Sequence, residues 1–365
     1  MLNEVKDKAI KSAQPIHSDP LSSFAKYLQV IFIALVLLYF GKTLFVPLLF
    51  GLLVALVTYP VCKWLERQHC RRSLAITAII FFVIALFLIL LLLLGYELNI
   101  FLRDIPQIAD KLKIYAPGIQ DWLNSNAGIG SDTQSNWVNK IMTDMQNGLS
   151  GSLKLLFNTT ISTLFMLVMI PVYASLFLYH RSTFVKYLES IISETYKDRL
   201  HHILQQSILT YFNFVKGTFF VYLIVGALNS AGLLMLGIQH AILYGMITAF
   251  MTIIPYIGII ISASMPVAIA LITRDSLWYP AGVILIFSFV QYLEANVIFP
   301  RVVGMQLNLS TWSTLVAIVA GTILWGVAGM ILFIPLIAIL KIVSDQVDDL
   351  RSINILLNRK EGYNG

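Results

Sequence analysis

An acid, amides, a guanidinium and a helix breaker crowd into QYLEANVIFPRVVGMQLNL, residues 291–309, among them Glu294, Asn296, Asn308, Arg301 and Pro300. Long apolar runs flank the stretch on both sides. A charged side chain at mid-membrane costs about 2.5–3.5 kcal/mol on insertion scales, so an intramembrane carboxylate is expected to have a function and a partner. Glu294 and Arg301 stand seven residues apart, two helical turns, and Pro300 is expected to end the helix between them. A direct bond would then need the chain to fold back. Two arrangements fit. In one, Glu294 faces a water-filled interior and takes up a proton or cation beside Asn296, while Arg301 at the outer mouth attracts a polar or anionic group. In the other, Glu294 lies near the membrane edge and Arg301 anchors the outer interface by snorkelling. Asn308 completes the set of transport or ion-coupling candidates.

The elements that must position these groups are membrane helices. Of 365 residues, 58% are hydrophobic and only 12% charged, and the mean hydropathy is +0.80. Soluble domains carry about 25% charged residues. Apolar runs of about 18 residues or more recur, long enough to cross roughly 30 Å of hydrocarbon. Runs such as TAIIFFVIALFLILLLLLG are apolar on every face, which excludes the alternating pattern of a barrel strand. The fold class is therefore an all-α, polytopic helical membrane protein of about eight spans. The net charge of +6 sits in short inter-helix segments, where a positive-inside bias explains it and nucleic acid is not implied.

The expected organisation begins with a cytoplasmic tail, 1–26, and three spans within 27–95, the first two joined by only Lys42 and Thr43. KWLERQHCRR, with Lys63, Arg67, Arg71 and Arg72 against Glu66, reads as a cytoplasmic loop. Residues 96–153 form an extracytoplasmic arm whose apolar positions Ile105, Ile108, Leu112, Tyr115, Ile119 and Trp122 recur at helical spacing. A fourth span, 154–179, contains Pro171, and 180–216 is an amphipathic segment suited to the inner interface. A C-terminal transmembrane core, 217–345, precedes a cytoplasmic tail, 346–365. With one crossing per segment, Arg274 falls inside, Arg301 outside and Lys341 inside.

Two core segments, 241–273 and 311–343, exceed 30 residues where about 20 suffice, so each must tilt, break or re-enter. The first carries Pro255 and Gly258, the second Gly321, Gly326, Gly329 and Pro335; Pro300 and Gly304 add a break between them. Paired Gly/Pro-interrupted segments point to a transporter binding site, because freed backbone groups can coordinate a solute. Close helix packing is the alternative use of the glycines.

Other chemistry is thinly represented. GKT at 41–43 lacks the glycine a phosphate loop needs, since position 36 is Val36. No G-x-S-x-G or H-E-x-x-H is present, and no enzyme or cofactor is implied. Cys62 and Cys70 have no metal-ligand spacing, and adjacent His201 and His202 point about 100° apart on a helix, so no metal site is expected. Transport without a nucleotide domain must be passive or driven by an ion gradient.

IIPYIGIIISASMP at 253–266, NVIFPRVVGMQLNLS at 296–310, LWGVAGMILFIPLIAILK at 324–341 and MIPVYASLFLYHR at 169–181 resemble the autoinducer-2 exporter (AI-2E) family of bacterial membrane proteins. The likeness runs from the first span pair to Lys341; Thr311 and Trp312 stand where that family often has a proline-containing pair. The resemblance implies a roughly eight-span inner-membrane homo-oligomer, a pentamer, with both termini cytoplasmic. Its partners would be the lipid bilayer and a small polar solute such as the quorum-sensing signal autoinducer-2, or, in an antiporter, sodium or lithium and a proton. A non-transporting membrane scaffold is the remaining alternative.

Overall fold

A computed structural model of the protein describes residues 20–93, 95, 96, 99, 165–253, 257–274, 276–303 and 306–359. The expected outer arm, Pro255 and Gly304 fall outside these residues. Among the described residues the regular structure is helical throughout, joined by one isolated bridge between Leu309 and Asn358. Helix α1 is Pro20–Phe40, and Gly41 alone separates it from α2, Lys42–Arg67, so Lys42 and Thr43 are helical rather than a linker. Then come α3, Arg72–Leu93, and α4, Phe165–Tyr179. Helix α5, Arg181–Ile191, is bent 67° from α4. The bend falls at His180, while Pro171 sits within α4.

Helices α2, α3 and α4 share an apolar core of Ala55, Cys62, Ile76, Ile79, Ile80, Ala174 and Leu178. Their loop ends meet in a charged knot. Arg181 pairs with Glu66 at 2.6 Å and lies 5.2 Å above the Tyr59 ring. Arg72 donates to the carbonyl of Leu178 at 2.9 Å, one of the orphan acceptors at the end of α4. The basic loop after α2 and the exit from α4 are thus on one side, as the charge pattern requires. Glu66→Gln leaves the mostly buried Arg181 without a counter-charge, and a loss of about 1–3 kcal/mol is expected as a lower melting temperature in detergent. Lys197→Ala removes a pair whose partner Glu194 is 86% exposed, and should change stability by less than about 0.5 kcal/mol.

The C-terminal core begins with α6, Lys197–Met235, whose 39 residues make a rod of about 58 Å. Half of the amphipathic segment therefore runs into the span without a break. Helix α7, Ala241–Met251, turns back along it, with Gly245 against Ser230 and Gly226 against Met246 and Ala249. Helix α8, Ile257–Thr273, returns, and Gly258 lies against the carbonyl of Met251 at the turn. The feet of this hairpin close: Arg274 after α8 donates to the carbonyl of Gly237 before α7 at 2.5 Å. The arms are roughly 16 and 25 Å long and both feet of the hairpin stand at the same end of α6.

Helix α9, Trp278–Leu293, then runs antiparallel to α6, with Ile286 against Gly232 and Val303 against Gly217. A π-helical turn, Glu294–Ile298, leads into α10, Phe299–Val302. Pro300 does not end the helix. It occupies the start of α10, where the wider turn shifts the carbonyl with which its ring would collide.

The last long helix, α11, Thr311–Gln346, is a second hairpin. Its backbone leaves helical geometry at Trp325 and Gly326, the latter at φ +62° and ψ −140°. Gly321 and Gly329 touch backbone to backbone, although eight residues of straight helix would separate them by about 12 Å. The indole of Trp325 meets the Phe333 ring edge-on at 5.5 Å. Helix α12, Arg351–Leu357, holds both feet: Ser313 donates to the Leu356 carbonyl at 2.8 Å, and Asn354 donates to Ser344 at 3.2 Å. A seven-residue helix spans about 10 Å, whereas a straight α11 would separate its ends by about 54 Å. Deleting 351–365 removes these bonds together with the Asn308–Asn358 contact, and a loss of about 2–4 kcal/mol should appear as a lower melting temperature.

The two hairpins regroup the basic residues. Arg199 reaches the carbonyl of Gln346 at 3.2 Å and the Asp348 carboxylate at 3.4 Å, so the feet of α11 lie at the start of α6, whereas Arg274 lies at its far end. Arg301 therefore joins Lys341 and Arg199 on one side, and Arg274 is alone among these on the other. A hairpin that goes in and comes back on the same side shifts everything after it by one crossing. Span α6 plus its hairpin and span α9–α10 plus α11 form two units of the same plan with opposite orientation, the inverted arrangement of many secondary transporters.

Candidate functional site

Glu294 opens the π-helical turn and is 6% exposed, directed into the seam between α9 and α6. Its surroundings are apolar: Val221, Val225, Val290 and Val303 form the local core, with Ile298, Phe299 and Val302 against it. Tyr222 of α6 is within electrostatic range of the carboxylate. Oxygen Oε2 has no protein hydrogen-bond partner among the described residues. Sixteen residues of α9, about 24 Å of helix, precede it within the 25-residue apolar helix Trp278–Val302. A π turn inside an α-helix is a recurrent marker of functional positions, because the extra residue re-aims a side chain.

The other candidates do not gather around it. Asn296 is exposed and donates to the carbonyl of Tyr292 in its own helix at 2.9 Å. Arg301 is exposed at the end of α10. Asn308 adopts a left-handed φ of 47° and bonds Asn358 at 3.3 Å, tying the C-terminal segment to the foot of α11. Pro335 is buried in the returning arm of α11. The first hairpin break is better placed. Because α7 runs back along α6, its end at Met251 comes down to the level of Tyr222, where Phe219, Tyr222, Met246, Ala249 and Phe250 line a narrow apolar cleft. The first hairpin tip thus reaches the depth of Glu294.

Sequence reasoning passed over Ser207, Thr218, Tyr222 and Asn229 on α6, and Gln291 on α9. Their signal is the spacing of 11, 4 and 7 along α6, which keeps the four on one helical face. No group of three metal-ligating side chains occurs among the described residues.

A pair of hairpin-bearing units of opposite orientation with a buried carboxylate at the α6–α9 seam is an arrangement suited to moving a solute or ion. The sequence profile described as AI-2E family transporter matches residues 28–349. The chain belongs to the AI-2E transporter family. It is similar to the AI-2 transport protein TqsA of Escherichia coli, 23% identical over 87% of this chain and 90% of the relative. It is also similar to a sodium-lithium/proton antiporter of Halobacillus andaensis, 25% identical over 80% of this chain and 87% of the relative. The putative transport protein YueF of Bacillus subtilis is 22% identical over 83% of this chain and 84% of that protein. As an AI-2E transporter the protein is a multi-pass membrane protein, and the matched segment stops just before α12.

Proposed function

We propose that this AI-2E transporter is a secondary exporter of a small polar solute of the autoinducer-2 class, driven by an ion gradient and coupled through Glu294. The observation that carries the reading is a carboxylate buried in a π turn of a long apolar helix with no cationic partner among the described residues. Such a group is stable there when a proton or a cation neutralises it. The similarity to a protein named for AI-2 transport supports the cargo. Sodium or lithium exchange for protons is the second reading, favoured by the same unpaired carboxylate and by the antiporter relative.

The basic residues Arg72, Arg181, Arg199, Arg301 and Arg351 share the side to which α12 returns, which supports a cytoplasmic assignment for that side and for the C-terminus. We place the protein in the bacterial inner membrane with both termini cytoplasmic, as a homo-oligomer; broad apolar faces such as Phe81, Phe82 and Leu92 on α3 are available to lipid or to neighbouring subunits. Everted vesicles carrying the protein should accumulate autoinducer-2 when energised and lose it when a protonophore is added. Accumulation indifferent to the protonophore contradicts gradient coupling.

A further inference from the structure

Besides the charged knot, where Glu66 Oε1, Arg72 Nε and Arg181 Nη1 lack a protein partner, buried polar atoms in this condition lie along one face of α6 and on the turn of α9 that faces it. Among the described residues, Ser207 Oγ, Thr218 Oγ1 and Asn229 Oδ1 on α6, with Gln291 Oε1 and Glu294 Oε2 on α9, are all in this condition. Ser207 is 5% exposed and Asn229 1%. Buried polar groups in proteins are nearly always satisfied, by protein or by ordered water, so several on one line call for a common explanation. On a helix of about 100° per residue, Ser207, Tyr211, Thr218, Tyr222 and Asn229 fall within a sector of roughly 60°. From Ser207 to Asn229 the stripe runs about 33 Å, close to the thickness of the hydrocarbon core. Because α9 lies antiparallel to α6, Glu294 falls partway along it, with Gln291 and Asn229 toward the Arg274 end and Thr218 and Ser207 toward the Arg199 end.

We infer that this stripe of α6 is a hydrated lane that carries protons between Glu294 and the two sides of the membrane. The inference rests on Glu294 being the coupling carboxylate. Water entering along the stripe would satisfy the five orphan atoms, each of which can take one further hydrogen bond. Glu294, as the acid, gives its proton to the adjoining water and becomes the carboxylate. Along the lane each hydroxyl or water accepts one proton and releases another, so charge moves while no group is consumed. The apolar neighbours Val221, Val225 and Val290 keep the lane to a single file. Phe220 and Ile224 point elsewhere on α6 and are exposed on the outer face of the protein.

The test has two parts, both in the full-length protein in liposomes with Cys62→Ala and Cys70→Ser as background. Single cysteines at Ser207, Thr218 and Asn229, and at Phe220 and Ile224 for comparison, are treated with 2-aminoethyl methanethiosulfonate and scored by mass. Reaction at the first three and none at the last two is the expected result; silence at all three lane positions in protein that still transports overturns the lane. Thr218→Val, which keeps the shape and removes the hydroxyl, should slow dye-reported proton flux about tenfold, with Thr218→Ser restoring it. Undiminished flux in Thr218→Val overturns the proton role. Failure of the underlying reading is separable: Glu294→Gln with full flux removes the coupling carboxylate from the account, while thiol reactivity along α6 is measured without reference to flux.

Discussion

Gly326→Ala is expected to abolish transport and to destabilise the protein by about 1–3 kcal/mol, even though a methyl group there would meet nothing within 4 Å. The loss comes from the backbone alone. Gly326 turns the second hairpin at φ +62° and ψ −140°, a combination that glycine adopts freely and residues with a Cβ essentially do not. An alanine would push the apex toward ordinary helix and pull Gly321 away from Gly329. Gly321→Val acts on the same structure by another route, because its side chain would occupy the space of the Gly329 carbonyl. Thermal unfolding in detergent measures the stability term, and flux in liposomes the functional one. Gly326→Ala with wild-type melting and wild-type flux would mean that the hairpin is not the working conformation.

Glu294→Gln should lower ion-coupled flux by at least about a hundredfold while leaving the fold intact. The amide has the size and burial of the protonated acid but can neither release a proton nor supply the negative charge that neutralises a cation, so the cycle stops at one end. In an exporter, solute binding survives the change and coupling is lost; in an antiporter, exchange itself disappears. Glu294→Asp keeps the charge and retracts it by one methylene, and should retain part of the flux.

The sequence made the broad architecture legible because hydrocarbon imposes it: long runs apolar on every face can only be membrane helices. It also marked which segments would break, since 241–273 and 311–343 were too long for one crossing and carried Gly and Pro, although the second breaks at Gly326 and Pro335 lies in its returning arm. What it left open was how they break. That is decided by contacts distant along the chain, Arg274 with Gly237 and α12 with both feet of α11, which no local pattern announces. That Arg301 shares an end of α6 with Arg199 while Arg274 stands at the other follows from the same distant contacts. Pro300 looked like a terminator because α-helical geometry was assumed on its N-terminal side, and the π turn relieves the clash. Glu294 stood out by its burial cost, but its neighbours in sequence proved to be poor guides to its neighbours in space. Asn296 lies two residues on and is exposed, whereas Tyr222, 72 positions earlier, lies across the seam.

The most direct test of the account is proton flux in liposomes containing the purified protein and an internal pH dye, with an imposed pH gradient, wild type and Glu294→Gln compared side by side on addition of solute, sodium or lithium. The account predicts that at least one of these collapses the gradient in wild type and none does so in Glu294→Gln. Equal collapse in both proteins would contradict it, because the carboxylate would then lie outside the coupling path.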